Sequence, residues 1–143
     1  IYVTVNDPLF RPISAKYFLS EETAYVEMAK ASGYELLTDE ERDCTKTTTF
    51  GTGELIRNAI NQGAKSIYLF VGGSATNDGG MGVAVALGYK FLDKSENELS
   101  PIGENLIHIH EIRLPEKSLA NVKLTVVCDV TLSLIPIWRC RRS

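Results

Sequence analysis

Apolar and polar positions change period several times along the chain, and each change marks an element. Ile1-Tyr2-Val3-Thr4-Val5 alternates as a strand with one covered face does, and Ile13 to Leu19 alternates again, with Ile13, Ala15, Tyr17 and Leu19 on one side. The connection Asp7-Pro8-Leu9-Phe10-Arg11-Pro12 holds two prolines that keep it out of helix and ladder, so the two runs predict an N-terminal β-hairpin. After the polar turn Ser20 to Thr23, Ala24 to Ala29 predicts a third strand passing into a short helix that stops at Gly33; Glu27 in it points away from the core toward a cleft. Tyr34 to Lys46 reads as a polar connection pinned by Leu36 and Leu37. Leu55, Ile56, Ala59 and Ile60 recur at helical spacing before Gly63, behind a Thr- and Gly-rich start, Thr47-Thr48-Thr49-Phe50-Gly51-Thr52-Gly53-Glu54, in which Thr49 reads as the cap of this helix.

The stretch Ser66 to Gly88 carries the densest signal. Ser66-Ile67-Tyr68-Leu69-Phe70-Val71 is a short apolar run that predicts a strand buried on both faces, with Tyr68 and Phe70 in the core. Met81 to Gly88 is small and apolar with a terminal glycine, which predicts a helix. Downstream, Tyr89 to Asp93 predicts a strand, Pro101 to Ile109 a short helix, Pro115 to Asn121 a loop, and Val122 to Val127 a buried strand ending at Cys128-Asp129, with Cys128 an inert buried thiol. Strands alternating with helices over short connections predict an α/β fold: an open, mostly parallel sheet with helices on both faces, plus the N-terminal hairpin.

Composition narrows the picture. The 143 residues carry a net charge of −3 with no basic run before the last five residues, which argues against a nucleic-acid surface. No apolar run is long enough to cross a bilayer. The three cysteines, Cys44, Cys128 and Cys140, are widely spaced, which excludes a disulfide framework or zinc knuckle and places the expected compartment in the cytoplasm. The chain starts without Met, so an upstream portion is expected.

The candidate chemistry lies between the central strand and its helix, in Gly72-Gly73-Ser74-Ala75-Thr76-Asn77-Asp78-Gly79-Gly80. A strand opening through such a loop onto a helix start gathers backbone N–H groups at one point of the sheet's carboxyl edge, where open parallel sheets bind anions. Gly72, Gly73, Ser74, Thr76 and Asn77 are the candidate phosphate and substrate donors, with Thr52 and Gly53 as further contacts from the second helix start. Asp78 would repel a phosphate, so it is either the cap of the following helix or a proton acceptor and magnesium ligand. Asp129, at the carboxyl end of a strand, is a second candidate metal ligand. The substrate that the family resemblance set out below implies carries a carboxylate needing a cation, either Arg57 or one from the missing part. His108 and His110, two apart, diverge and read as surface residues. The loop lacks the Walker lysine motif. A dinucleotide-binding reading stays open, with Asp93 near the spacing of a ribose-binding acid, although the loop lacks G-x-G-x-x-G.

Four blocks in order carry a resemblance: Ala24-Tyr25-Val26-Glu27-Met28-Ala29 with Ala31-Ser32-Gly33, Thr47 to Ile56, Gly72 to Gly80, and Cys128-Asp129-Val130-Thr131. Over residues 1–131 the chain resembles the bacterial glycerate kinase family of the glyoxylate and glucarate pathways. The resemblance implies ATP- and magnesium-dependent phosphorylation of D-glycerate, at the 2-hydroxyl, by a two-domain α/β protein over twice this length. The chain would then be an interior piece, inactive alone, with N- and C-terminal portions of the same protein missing. Residues 132–143 depart from the family pattern and form an atypical tail. Trp138-Arg139-Cys140-Arg141 read one base later as TGG CGC TGC CGN becomes Gly-Ala-Ala, so a frame slip is the expected origin.

Overall fold

The computed structural model describes residues 1–116, 119 and 121–128; Asp129 and the 132–143 tail lie outside the described residues. β1 (Tyr2–Asn6) and β2 (Pro12–Lys16) pair antiparallel, with Val3 opposite Ala15 and Val5 opposite Ile13, which is the expected hairpin. The second run does not continue to Leu19. The Ile1 ammonium donates to the Tyr17 carbonyl at 2.8 Å, and the Tyr17 hydroxyl donates to Asn58 Oδ1 at 2.8 Å. These bonds close the hairpin at Tyr17, whose phenol is pushed up by burial, and release Phe18–Ser20 as a separate strand, β3.

β3 opens a second, four-stranded sheet with β4 (Thr23–Glu27), β5 (Ser66–Val71) and β8 (Lys123–Cys128), in the order β3–β4–β5–β8. β3 runs antiparallel to β4, while β4–β5 and β5–β8 are parallel. α1 (Ala29–Ser32) and α2 (Phe50–Asn61) connect β4 to β5, and α3 (Met81–Ala86) follows β5. β6 (Lys90–Leu92) and β7 (Glu111–Arg113) form a small separate antiparallel pair.

The core lies on one side of the central sheet. Ala24 and Val26 of β4 and Ile67 and Leu69 of β5 pack against Leu55, Ile56 and Ala59 of α2. That is the face on which connections following one another in the same direction along a parallel sheet fall, because such crossovers share one hand. The opposite face is bare of helices among the described residues. Tyr25, Tyr68 and Phe70 point there and are exposed by more than a third, so β5 is buried on one face and not on both. β8 likewise is an exposed edge, and Cys128 lies at the surface rather than in the core. Sequence pattern suggests burial for such apolar strands because it registers hydrophobicity, not whether another layer is present to cover it.

The loop after β1 is tied down by polar contacts. Asp7 Oδ1 accepts the amides of Leu9 and Arg11 at 2.8 and 2.9 Å, and Asp7 Oδ2 accepts Arg11 Nε at 2.6 Å. Glu54 Oε2 accepts the Asn6 amide and the Asn6 side-chain amide at 2.7 and 2.9 Å, joining the hairpin end to the first turns of α2. That close approach leaves no room at Gly51, where an added Cβ would stand 1.8 Å from the Asn6 carbonyl oxygen.

Gly51→Ala is expected to lower stability by about 1–3 kcal/mol, as overpacking does. Gly72→Ala, whose Cβ meets nothing within 4 Å, is expected to stay within about 0.5 kcal/mol of the parent. Thermal or urea unfolding of the two variants checks the contrast.

Candidate functional site at the carboxyl edge of the sheet

The Gly72–Gly80 loop leaves the carboxyl end of β5 and enters α3, as expected. Its middle is fastened to neighbouring segments. Ala75 donates its amide to the Ser32 carbonyl at 2.9 Å, Asn77 to the Cys44 carbonyl at 3.1 Å, and the Thr76 hydroxyl donates to the Thr47 carbonyl at 2.8 Å. Thr47 returns its hydroxyl to the Ala75 carbonyl at 2.9 Å. The Cys44 segment is itself fixed by Asp43, whose carboxyl is held below the usual carboxylate range by the Thr45 hydroxyl and amide.

Asp78 is the most heavily bonded residue of the loop. It is buried, and Oδ2 accepts the Thr49 amide and hydroxyl, both at 2.8 Å, and the Gly82 amide at 3.0 Å. Oδ1 accepts the Gly80 amide at 2.9 Å. The Thr49 hydroxyl in turn accepts the Val83 amide at 3.0 Å. All four partners of the carboxylate are donors, the set an acceptor-only group requires. They satisfy orphan amides at the start of α3 and tie that start to the start of α2. Thr49, read from sequence as a cap of its own helix, makes no side-chain cap there and caps α3 through space instead. Three of the four bonds fall on Oδ2, while Oδ1 accepts the Gly80 amide alone and keeps acceptor capacity at the wall of a cavity.

The other expected site residues divide in two. Gly72, Gly73 and Ser74 are exposed, and so are Asn77, Gly79 and Gly80. Among the described residues the amides of Gly72, Gly73, Ser74 and Gly79 have no hydrogen-bond partner. Gly73 and Gly79 hold φ of 62° and 61°, a left-handed backbone that suits glycine. Thr52 and Gly53 are buried. The Thr52 hydroxyl shares a 2.7 Å bond with Ser32 Oγ, and Gly53 lets α3 approach so closely that a Cβ would lie 2.6 Å from that of Ala86. Of these two only Thr52 reaches a cavity, one of about 290 Å³ shared with Thr49, Thr76, Asn77, Asp78, Gly79 and Gly80. A second cavity of about 360 Å³ lies beside Gly72 and Gly73, with Glu27, Lys30 and Tyr34 around it. Glu27 therefore reaches a cleft, as its alternation suggests, and Lys30 beside it is a cation the pattern did not single out.

Arg57 lies elsewhere. Its guanidinium donates to the Ala86 carbonyl at 3.2 Å and pairs with Glu54, well along α2 from the loop. Asp93 is also removed from the site. Its carboxylate closes a turn by accepting the Ser95 and Asn97 amides, and β6 before it belongs to a different sheet, so the ribose-acid reading has no geometry behind it. Asp129 lies outside the described residues. No group of three or more His, Cys, Asp or Glu side chains that could hold a metal ion occurs among the described residues. No helix among them is long and apolar enough to cross a membrane.

Asp78→Asn keeps the shape but turns one acceptor into a donor facing an amide. It is expected to lower stability by about 1–3 kcal/mol, and Thr49→Val by a similar amount. Because the two side chains share one network, the double variant is expected to fall short of the sum by about 0.5–3 kcal/mol. A double-mutant cycle from urea unfolding reads this directly.

Comparison with known proteins agrees with the geometry. The glycerate kinase family profile matches residues 1–136. Glycerate 2-kinase of Escherichia coli K12 is 42% identical over 135 residues, covering 92% of this chain and 35% of that protein. Glycerate kinase of Bacillus subtilis 168 is 44% identical over 130 residues, covering 88% and 34%. A crystal structure assigned to glycerate kinase 2 of Salmonella typhimurium LT2 superimposes with a TM-score of 0.87 at 41% identity, over 94% of this chain and 37% of that one. The chain thus spans about a third of the length of these relatives. With residues 1–136 of the chain matched by the family profile and the same fold in a solved relative, the chain belongs to the glycerate kinase family.

Proposed function

We propose that this chain is about a third of an ATP-dependent kinase that phosphorylates D-glycerate, giving 2-phosphoglycerate. The observation that carries the reading is the Gly72–Gly80 loop, where exposed and unbonded amides of Gly72, Gly73, Ser74 and Gly79 sit on a loop otherwise fixed to its surroundings. Phosphoryl transfer asks little covalent chemistry of the protein and much positioning, with fixed donors that stabilise charge on the moving group. Those four amides are assigned to phosphate oxygens, with the Ser74 hydroxyl and the Asn77 side chain as further donors. Thr76 shapes the turn through its bond to Thr47, and Thr52 forms the floor of the cavity. Asp78 is assigned the part of holding the loop's second half against α2 and α3.

Magnesium, when bound, would neutralise phosphate charge. It travels on the nucleotide's phosphates with few protein ligands. The base that takes the hydroxyl proton, and the cation that meets the glycerate carboxylate beyond what Lys30 offers, are assigned to the portion of the protein outside this chain. The 143 residues alone are accordingly expected to be inactive. The cytoplasm is the proposed compartment, and the proposed partners are the nucleotide and the hydroxy acid.

The whole gene product is expected to release ADP only when D-glycerate is present. Its proton-coupled phosphorus spectrum is expected to show the doublet of an ester on a carbon bearing one hydrogen, where a 3-phosphate gives a triplet. Gly72→Pro removes one donor from a residue without a left-handed backbone and follows a strand residue that tolerates proline after it. It is expected to lower kcat about 100-fold, while Gly72→Ala keeps the amide and the activity. Equal activity in the proline variant would remove the loop amides from the reaction.

A further inference from the structure

On the kinase reading above, we propose that Arg11, at the tip of the N-terminal hairpin, is a positioning residue for the reaction. It fixes the connection between α1 and α2, and through that connection the half of the Gly72–Gly80 loop that carries the unbonded amides of Gly72, Gly73 and Ser74. Asp78 holds the loop's second half, where it runs into α3. The first half is held from another direction.

That direction is residues 32–47. Tyr34 donates its amide to the Gly73 carbonyl at 2.9 Å, and Gly33 forms an isolated antiparallel bridge with Ser74. The Ser32 carbonyl accepts the Ala75 amide, the Cys44 carbonyl accepts the Asn77 amide, and Thr47 exchanges bonds with Ala75 and Thr76. The backbone from Gly73 to Asn77 is thus laid along this connection. A template can fix a loop only if it is fixed itself, and this one has little core of its own. Of residues 34–46 only Leu37 is buried.

Arg11 supplies the restraint. Its guanidinium donates through Nε to Asp7 Oδ2 and through Nη1 to Glu41 Oε1, both at 2.6 Å, and through Nη2 to Glu41 Oε2 and the Leu36 carbonyl, both at 3.4 Å. Both carboxylates are held in turn. Asp7 is buried and bonded to the amides of its own loop. Glu41 Oε2 also accepts the Thr38 amide at 3.1 Å within the 3-10 turn Asp39–Glu41, and the Arg11 bond, then the Thr38 bond, keeps this carboxyl below its usual range. Among the described residues, the hydrogen bonds joining the connection to the hairpin are those of Arg11 and, at the far end, that of the Thr48 amide to the Pro8 carbonyl at 3.0 Å. The Arg11 side chain is 47% exposed, so its ion pairs add little stability. Its planar fork instead sets geometry, reaching two carboxylates and a carbonyl that one lysine ammonium cannot reach together. Donors act on a transition state only when already in place, and a misplacement of about 1 Å can cost about 100-fold in rate. Loosening the connection leaves every loop amide present and spoils its aim, so rate suffers more than affinity.

The test uses the whole gene product and its Arg11→Gln and Arg11→Lys variants, below their unfolding temperatures. Arg11→Gln is expected to lower kcat about tenfold while KM for ATP and for D-glycerate stays within about twofold. Hydrogen exchange at the Ala75 and Asn77 amides is expected to quicken at least about fivefold, while the Gly82 amide, bonded to Asp78, keeps its rate. Arg11→Lys keeps the charge and is expected to recover only part of the lost kcat. An unchanged kcat in Arg11→Gln, or a lower kcat with unchanged exchange at Ala75 and Asn77, overturns the proposal and leaves the kinase reading standing. Full recovery by lysine overturns the fork in favour of charge alone. A parent that releases no ADP with D-glycerate overturns the kinase reading and the catalytic role drawn from it, and unchanged exchange in its Arg11→Gln variant overturns the clamp as well.

Discussion

The structure depends on one buried carboxylate. Asp78 is withdrawn from water beneath a loop of small residues, and leaving it unpartnered there would cost several kcal/mol. It is instead met by two donors from Thr49 and two amides from the start of α3. Hydrogen bonds to an ionised acceptor are the stronger kind, and these join two pieces of chain 29 positions apart: the start of α2, and the loop end where it runs into α3. The neighbouring glycines follow from that convergence. Gly82 has no space for a side chain, since a Cβ would sit 2.4 Å from the Phe50 amide nitrogen and from Thr48 Oγ1. The buried threonines at 47, 48, 49 and 52 belong to the same junction, where hydroxyls complete the polar bonding that helix starts leave unmet.

The anchor divides the loop's amides into two populations. Those of Ala75, Thr76, Asn77 and Gly80 bond within the protein, and those of Gly72, Gly73, Ser74, Asp78 and Gly79 have no partner among the described residues. This is the division a binding loop needs. Donors aimed at a ligand are useful only if the backbone carrying them is already in place, so that no reorganisation is required when charge develops. On the kinase reading, the bonded amides would supply the rigidity and the unbonded ones the binding capacity. The acid of this loop, which would oppose a phosphate if it faced the same way, is 1% exposed and has both carboxylate oxygens bonded to donors of the protein.

Much of this was legible in the residues. The hairpin, the parallel strands, the strand–loop–helix at Ser66 to Gly88 and the position of the glycine-rich turn all follow from period and punctuation, which are local properties. The misreadings are those in which the answer lies in a third segment. Nothing in Thr49's neighbourhood says that it bonds to a residue 29 positions away, so it reads as a cap for its own helix. Arg57 is an uncommitted cation in sequence and a partner of the Ala86 carbonyl in space. Asp93 has a suggestive spacing, but β6 pairs with β7 and not with the sheet that carries the loop. Tyr68 and Phe70 have the composition of core residues, and only the strand order shows that no described layer lies over them.

The one-sided sheet and the incomplete site have a common origin. Ligands of open α/β sheets lie at the carboxyl edge where successive connections turn from one direction to the other, since that is where two loops part and leave a crevice between them. From β4 through β5 to β8 the direction never reverses, so the described residues contain one side of a crevice and no facing wall. The charge distribution agrees. The loop brings donors but no cation of its own, and the cation at its margin, Lys30, lies 3.5 Å from Glu27 and is partly neutralised. A reaction that gathers a triphosphate and a carboxylate needs more positive charge than that edge holds. On the kinase reading, the strand order that leaves Tyr25, Tyr68 and Phe70 bare is also what leaves the phosphate loop facing open space.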